Sequence, residues 1–583
     1  MRFRDQPYLI ILALAFLLFL SPMDSVSAQE QERDDVTLTL IGRVVNTQGR
    51  TVDESEVRVF VGVTQQVLVV AGEETRVAHT SPSGLYMVDL CLPASAIETN
   101  ALVVEIGRPG FRTITQEIGN QGIACVGNTC YVRVPDVALP RLFSPAFFLA
   151  TAFFVVVFAL ISLNRLHETI AALLGVAAML GTSYFAGSSN PDFWIIGFDQ
   201  AIRFIDFDVI FLLLAMMIFM AIMSRTGVFQ WLAFQIFRLA KGNAFLATTG
   251  LVCITGLTSA VLNDTTVMLL MTPVSIQIAL ALDIHPAAIV VPEVLASNIG
   301  GAATLIGTPP NTIIGSYVGL SFNQFLGNML PIAVMGMLIL VGMTRWLYRG
   351  EFDKEKGAPS QVFIEKLAAD ARITDQALLR KSLFLFVLTL GLFFAADLFL
   401  MPPAVVAILG ATALLLWVRP NVSDMLREVD WTTLVFFMGL FMMVGGIEEV
   451  GLIQLIAETV RHLAGESLLM ATLLIIWVSA IASAVVANIP YTSAIIPVAV
   501  FLTQALPGAE NNVLYWALAL GAGLGGNATY IGSAPNIVAM GIMDRAGFRL
   551  KFGDFSRVGV PVAFVTILIP TSWILLRYFW LRF

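Results

Sequence analysis

From Leu142 onward the chain is a series of apolar runs separated by short polar connections, each run long enough to cross the roughly 30 Å hydrocarbon core of a bilayer. Leu142 to Leu163, His167 to Phe185, Phe207 to Ser224, Pro331 to Tyr348, Lys381 to Leu400, Pro403 to Val418, Trp431 to Ile447 and Pro561 to Phe579 read as uninterrupted spans. Before residue 140 the pattern changes. Stretches such as "VTLTLIGRVV", "EVRVFVGV", "SGLYMVDL" and "ALVVEIG" alternate apolar and polar positions between turn residues, the period of half-buried strands. These strands predict a small β-sandwich over residues 29–140.

Four apolar segments are broken. Residues 244–282 and 468–506 carry polar clusters midway, Asn263-Asp264-Thr265-Thr266 and Asn488-Ile489-Pro490-Tyr491-Thr492, and each is expected to be a re-entrant helical hairpin with that cluster at its tip. Residues 286–317 and 511–541 contain two echoing motifs, "SNIGGAATLIGTPPNTIIG" from Ser297 and "GLGGNATYIGSAPNIVAMG" from Gly523. Glycine and proline weaken a helix interior by about 1 and about 3 kcal/mol relative to alanine. In a membrane such breaks are tolerated only where they are buried in protein or line a watery cavity.

The echo extends over the whole membrane region. With a shift of 224 residues, Asp206 falls on Asp430, Gly227 on Gly451, Ser259-Ala260-Val261 on Ser483-Ala484-Val485, and Pro273 on Pro497. With a shift of 225, Gly300-Gly301 meets Gly525-Gly526, Thr304 meets Thr529, Gly307 meets Gly532, and Pro310-Asn311 meets Pro535-Asn536. The expected fold is therefore a polytopic α-helical membrane protein built from two repeats, residues 141–350 and 381–583, joined by a cytoplasmic linker, 351–380. Each repeat has five crossings plus a re-entrant hairpin and a broken helix, and the odd number of crossings inverts the second repeat relative to the first.

Charge orients the chain. Residues 1–28 have the form of a secretory signal peptide, with Arg2 and Arg4 before an apolar run and Val26-Ser27-Ala28 at its end, which places the sandwich outside the cytoplasm. The segments then assigned to the cytoplasm hold about 18 Lys and Arg, and the outer ones after residue 140 about 5, as the positive-inside rule expects. An inner-membrane location follows from this topology.

Composition narrows the function. The chain is 57% apolar and 13% charged with a mean hydropathy of +0.83, and its net charge of −8 is spread out, so nucleic acid is not an expected partner. Cys91, Cys125 and Cys130 fall in the exported segment, where one disulfide is expected, Cys125 with Cys130 or Cys91 with either. Cys253 lies in a membrane run. The four histidines lack metal-ligand spacing, and no resident cofactor or enzymatic motif is expected; "GAGLGG" from Gly521 has no preceding strand and is not a dinucleotide fingerprint.

The breaks and hairpin tips carry the candidate chemistry. Unwound carbonyls can coordinate a dehydrated cation, and exposed helix N-termini can meet an anion. The candidate ion- and substrate-binding residues are Asn263, Asp264, Thr265, Asn298, Gly300, Gly301, Thr304, Gly307, Thr308, Pro310 and Asn311 in the first repeat. In the second they are Asn488, Thr492, Gly525, Gly526, Asn527, Thr529, Pro535 and Asn536. Asp264 and Glu293 are acids at membrane depth, where a charge costs at least roughly 3 kcal/mol, and they are candidates for proton or cation coupling. Asp264 aligns with the neutral Asn488, so the two repeats are not chemically equivalent.

At these residues the chain resembles the superfamily of divalent-anion:sodium symporters, citrate transporters, arsenite permeases, pink-eyed-dilution proteins and NhaD-type sodium/proton antiporters, over about residues 142–583. "GTPPN" at Gly307 to Asn311 is like the symporter branch, whose hairpin-tip Ser-Asn-Thr motifs fall here on Asn263-Asp264-Thr265 and Ala487-Asn488-Ile489. "VLNDTT", "NIPYT" and "PEVLASNIGGAATLIG" look more like the arsenite, pink-eyed and NhaD branch, from which the chain departs at Ala487 and Thr308. The N-terminal segment resembles carboxypeptidase regulatory-type sandwiches at Gly42, Gly49, Gly84 and Tyr86. The resemblance implies a homodimeric, ion-coupled permease that moves a small anion with sodium or protons by alternating access. A sodium/proton antiporter, an arsenite-type efflux permease and a non-transporting sensor are the competing readings.

Overall fold

The computed structural model describes residues 35–580, apart from 47–50, 53–54, 62–63, 71, 82, 94–101, 109–110, 119–122, 127–128, 140–142, 164, 354–360 and 466. The expected signal peptide and Gly49 lie outside the described residues. The chain divides into two compact units, residues up to Gly107 with Thr113–Leu139, and Arg108–Arg112 with Pro140–Phe583.

The first unit is built of strands that form two sheets. The long strand Asp35–Asn46 pairs antiparallel with Leu85–Pro93 and parallel with Thr129–Arg133 and Val137–Leu139. In the other sheet Glu56–Val61 pairs with Leu102–Gly107, which pairs with Ile114–Ile118. Alternate residues are buried: Leu38, Leu40 and Val44 in one sheet, Val57, Val59, Val104 and Ile106 in the other. Gly42 lies directly opposite Tyr86 in the register, and a Cβ on Gly42 would come within 2.3 Å of the Tyr86 hydroxyl oxygen, so the ring packs where only glycine leaves room. Cys130 is disulfide-bonded and Cys91 is free, which removes Cys91 from the candidate pairings; the register sets Cys125 opposite Cys130.

The second unit is helical, with ten helices long and apolar enough to cross a membrane among the described residues. Their capping follows the sequence. Ser144, Asp206, Asp430 and Ser467 each accept a hydrogen bond from the first helical turn, and Ser321 forms a capping box with Gln324. Large apolar side chains such as Phe148, Leu173, Leu338 and Leu398 point outward, a surface suited to lipid.

Two helices begin earlier than their apolar runs predict. Phe322–Leu347 and Phe552–Ile574 pass through Pro331 and Pro561, which sit inside the helix and do not start it. The hydrophobic run marks only the lipid-facing length, whereas the helix start is set by the Ser321 cap in one and by Asp554, which accepts from the Lys551 N–H, in the other. The linker 351–380 also contains a helix, Gln361–Asp370, in which Leu367 is buried; Thr374 Oγ1 donates to the Arg225 carbonyl at 2.6 Å. Six of its ten residues are apolar, two of them alanine, a run too short to mark a helix in the sequence.

The duplication is visible element by element. Phe207–Ser224 corresponds to Trp431–Glu449, and Val228–Ala240 to Leu452–Ala464, each second helix following a left-handed glycine, Gly227 or Gly451. The hairpins are Ala244–Val261 with Asp264–Ala281 and Leu468–Val485 with Asn488–Ala505. The broken helices are Ala287–Gly301 with Pro309–Val318 and Val513–Gly525 with Ala534–Arg545.

Packing between the repeats is reciprocal. Helix Pro309–Val318 packs on the second hairpin's inner arm, Asn488–Ala505, and Ala534–Arg545 packs on the first's, Asp264–Ala281. Likewise Glu168–Gly181 packs on Trp431–Glu449, and Pro403–Val418 on Phe207–Ser224. A two-fold relation between the halves produces such an exchange.

Candidate functional site

The two breaks are built alike. In each, the helix before the break lies so close to the outer hairpin arm that no side chain fits between them: a Cβ on Gly300 would meet the Gly256 carbonyl oxygen at 2.1 Å, and one on Gly525 the Ala480 oxygen at 2.4 Å. The loop is then fastened by side chains. Thr304 Oγ1 donates to the Ala260 carbonyl and Thr529 Oγ1 to the Ala484 carbonyl, both on the hairpins. Asn311 Nδ2 donates to the carbonyls of Ala302 and Thr304 at 3.1 and 2.8 Å, and Asn536 Nδ2 to those of Gly526 and Thr529 at 2.9 and 2.8 Å. The Pro-Asn pair thus starts a new helix and satisfies the carbonyls that the break releases.

Each hairpin tip is tied to the loop of its own repeat, Asp264 N–H donating to the Gly307 carbonyl at 3.3 Å and Asn488 N–H to Gly532 at 3.1 Å. Beyond this the tips differ. Asn263 Oδ1 accepts from the N–H groups of Thr265 and Thr266 at 3.1 and 3.2 Å, and Asp264 Oδ1 accepts from Thr265 N–H at 2.7 Å. The helix that begins at Asp264 is therefore capped and carries an acid in its first turn. The helix that begins at Asn488 follows Ala487, which has no capping side chain and no acid beside it. Helices Pro309–Val318 and Ala534–Arg545, behind Thr308 and Ser533, also lack side-chain caps. All three helix N-termini keep the positive end of the helix dipole; their first-turn N–H groups are those of Asn311, Ile489, Ala534 and Asn536, because Pro309, Pro310, Pro490 and Pro535 have none and Asn488 N–H is bonded to Gly532.

A cavity of about 300 Å³ joins these parts. Its wall includes Asn263 and Thr265 from the first tip, Asn488 and Ile489 from the second, and Pro309 and Ala534 at the starts of the two helices after the breaks. Ser162, His167, Glu168, Asp430, Thr432 and Thr433 also line it, and no Lys or Arg does so among the described residues. A second cavity of about 520 Å³ is lined by Asp208, Leu305, Thr312, Ser316 and Asp397 among others. Asp208 and Thr312 are the repeat equivalents of Thr432 and Ile537 in the first cavity, so the two cavities are counterparts, but hairpin tips line only the first.

Of the candidate residues, Asn263, Thr265 and Asn488 line the cavity. Gly300, Gly301, Thr304, Gly307, Pro310 and Asn311, with Gly525, Gly526, Thr529, Pro535 and Asn536, form and brace the breaks instead. Asp264 is buried just behind its tip, and the hydroxyls of Thr308 and Thr492 are buried without a partner. Asn298 and Asn527 join the two repeats: Asn298 Nδ2 lies 2.7 Å from Asn527 Oδ1, 2.9 Å from Asn536 Oδ1 and 3.1 Å from Ser533 Oγ. Glu293 lies elsewhere, between the two arms of the first hairpin, with Thr255 Oγ1 donating to its Oε1 at 3.2 Å. His167, Glu168 and Asp430 were not among the candidates; they sit at the ends of apolar runs, where polar residues are ordinary. No cluster of three metal-ligating His, Cys, Asp or Glu occurs among the described residues.

Comparison with known proteins follows this geometry. The citrate transporter family model, CitMHS, matches residues 158–521. An uncharacterized transporter of Mycobacterium tuberculosis is 37% identical over 432 residues, covering 74% of this chain and 99% of its own. The P protein of Homo sapiens is 31% identical over 517 residues, covering 74% of this chain and 60% of its own. The crystal structure of the YdaH transporter of Alcanivorax borkumensis aligns with 70% of this chain and 98% of its own at 14% identity and a TM-score of 0.48.

Proposed function

The chain belongs to the citrate transporter family, and on that premise we propose that it is an ion-coupled secondary permease for a small anion, a carboxylate of the citrate or dicarboxylate type or an oxyanion. The observation that carries this reading is the set of three uncapped helix N-termini whose first residues, Pro309, Asn488 and Ala534, meet at one cavity. A helix N-terminus presents about half a positive charge, and the first-turn N–H donors here are those of Asn311, Ile489, Ala534 and Asn536. Converging N-termini attract an anion without Lys or Arg, and release it readily, because no full charge pair must be broken.

The chemical difference between the repeats assigns them separate tasks. The second tip, with Asn488 at an uncapped helix start, faces the anion. The first tip, with Asn263 and the acid Asp264, suits the coupling cation, sodium or a proton. The counterpart cavities support alternating access, since a chamber on one side has an equivalent on the other, and substrate opens to each in turn. In this reading the permease is a homodimer of the inner membrane with the sandwich outside the cytoplasm.

A second reading has one observation in its favour. Asp264 and Glu293 are buried acids with no cationic partner among the described residues, which is what a sodium/proton antiporter needs. Purified protein in liposomes loaded with a pH dye separates the two. A sodium gradient is imposed before and after adding citrate, succinate, arsenite and other oxyanions. Accumulation of one anion only in the presence of an ion gradient supports the permease. Proton movement driven by sodium with no anion present establishes the antiporter instead.

A further inference from the structure

Glu293 is fully buried, with two hydroxyls beside it, one from each arm of the first hairpin. Thr255 Oγ1 donates to Oε1. Ser275 stands beside the carboxyl group, yet its Oγ makes no hydrogen bond of normal geometry, and Glu293 Oε2 also has none. A charged carboxylate in this position would have one oxygen wholly unsatisfied, with no cation to balance it.

The acid is not needed for packing. Its repeat equivalent is Leu518, and the equivalent of Ser275 is Ala499, so the same fold closes in the second half with an apolar pair. Of the three polar positions only Thr255 is matched, by Ser479, and that hydroxyl instead meets the Tyr491 hydroxyl at 3.1 Å. The polar site is confined to the half whose hairpin tip carries Asp264.

The helices packed on Ala287–Gly301 bring no charge to it. On the hairpin arms Cys253 faces outward, and Asp264 is held by Thr265. Arg345 pairs with Asp353 at 2.6 Å, and Asp544 with Arg549 at 3.9 Å. Among the described residues Tyr515, Arg545, Asp554 and Arg557, on the remaining packed helices, have no hydrogen bond or ion pair with Glu293.

A second polar cluster follows it on the helix. One turn further along the same helix, the Ser297 hydroxyl lies 3.0 Å from Ser259 Oγ and 3.3 Å from the Asp264 carbonyl oxygen. Asp264 sits between Asn263 and Thr265, both of which line the cavity. Resting on the reading of the chain as an ion-coupled permease, we propose that Glu293 is a proton-carrying group of the transport cycle, seated between the hairpin arms beside Thr255 and Ser275. The carboxylate takes one proton at Oε2 to become a neutral carboxylic acid, and returns it to water on the other side when the hairpin rearranges.

The test uses the full-length protein. Infrared difference spectra between wild type and Glu293→Gln report the protonation state directly, with no substrate needed. A carboxylic-acid carbonyl band present in wild type at neutral pH and absent in the variant is expected; a pair of carboxylate bands overturns the proposal. Proteoliposomes with a pH dye and labelled citrate give the second readout. Protons moved per citrate should fall by one in Glu293→Gln and also in Glu293→Leu, which copies the second repeat. An unchanged ratio in a variant that still transports overturns the proposal. If wild-type protein does not move citrate, the citrate reading of the cavity fails, and a pair of carboxylate bands in the infrared spectrum would still overturn the role given to Glu293.

Discussion

The amide nitrogen of Asn298 donates to Asn527 Oδ1 at 2.7 Å, so the first broken helix is hydrogen-bonded to the break of the second across 229 positions of sequence. Two further acceptors, Asn536 Oδ1 and Ser533 Oγ, surround the same nitrogen. An amide NH2 has two hydrogens for these three oxygens. Asn298→Asp places a carboxylate oxygen among them and should destabilise the membrane unit by about 3 kcal/mol, more than Asn298→Ala does. Thermal unfolding in detergent ranks the two; equal melting temperatures would show that the cluster does not join the repeats.

Asn488 is where the repeats diverge most usefully. Asn488→Asp gives the second tip the acid that the first already carries and cancels the positive helix end at the cavity. Anion uptake into proteoliposomes should fall more than tenfold with the protein still folded, equivalent to about 1.4 kcal/mol or more. Uptake equal to wild type would remove the second tip from the anion site.

Asn311 and Asn536 each satisfy two loop carbonyls. Alanine at either leaves both acceptors buried, at a cost of about 2 kcal/mol or more. Both variants should lose stability, Asn536→Ala the more, because Asn536 Oδ1 also accepts from Asn298 Nδ2 of the first repeat. A loss at one site only would mean that the repeats brace their breaks differently.

In the sandwich, the Tyr86 hydroxyl is buried with no hydrogen bond among the described residues, and burial pushes its phenol well above the usual value of 10.0. The folded chain therefore holds this proton more tightly than the unfolded chain. The stability it contributes is complete below pH about 10 and is lost as pH rises further. Tyr86→Phe should leave neutral-pH stability within about 1 kcal/mol and reduce the alkaline loss. Gly42→Ala, which drives a methyl into the same ring, should destabilise the sandwich at every pH.

Cys91 is free and exposed, whereas Cys130 is in a disulfide. A membrane-impermeant maleimide added to intact cells or spheroplasts should label Cys91 if the sandwich lies outside the cytoplasm, with Cys91→Ser as the control. Labelling that appears only after lysis would reverse the proposed orientation.

Much of the architecture was legible in the chain. Alternation of period two marked the strands, and long apolar runs marked the membrane helices, because both follow from local burial. The repeat was legible too: Gly300-Gly301 and Gly525-Gly526, or Asn311 and Asn536, keep their spacing because the same backbone break needs the same glycines and the same amide. The helix at Gln361–Asp370 was missed because its apolar stripe is short, and the helix starts at Ser321 and Lys551 were obscured by Pro331 and Pro561 inside the apolar runs.

What the residues do was a different matter. Sequence grouped Thr304, Asn311, Thr529 and Asn536 with Asn263 and Asn488 as candidate ligands, since all are polar residues in apolar surroundings. Only the tertiary structure separated them. The first four direct their donors to backbone carbonyls, while Asn263 and Asn488 reach the cavity. Whether a buried donor braces a loop or faces a ligand depends on which acceptors the other helices bring within 3 Å. That is fixed by contacts hundreds of residues apart, such as Asn298 with Asn527, and no local pattern records it. Sequence alone determined the membrane class, the duplication and the position of the breaks, because each follows from the solvent that a segment must face. The tertiary structure decided that three helix starts meet at one cavity and that Glu293 stands apart from it.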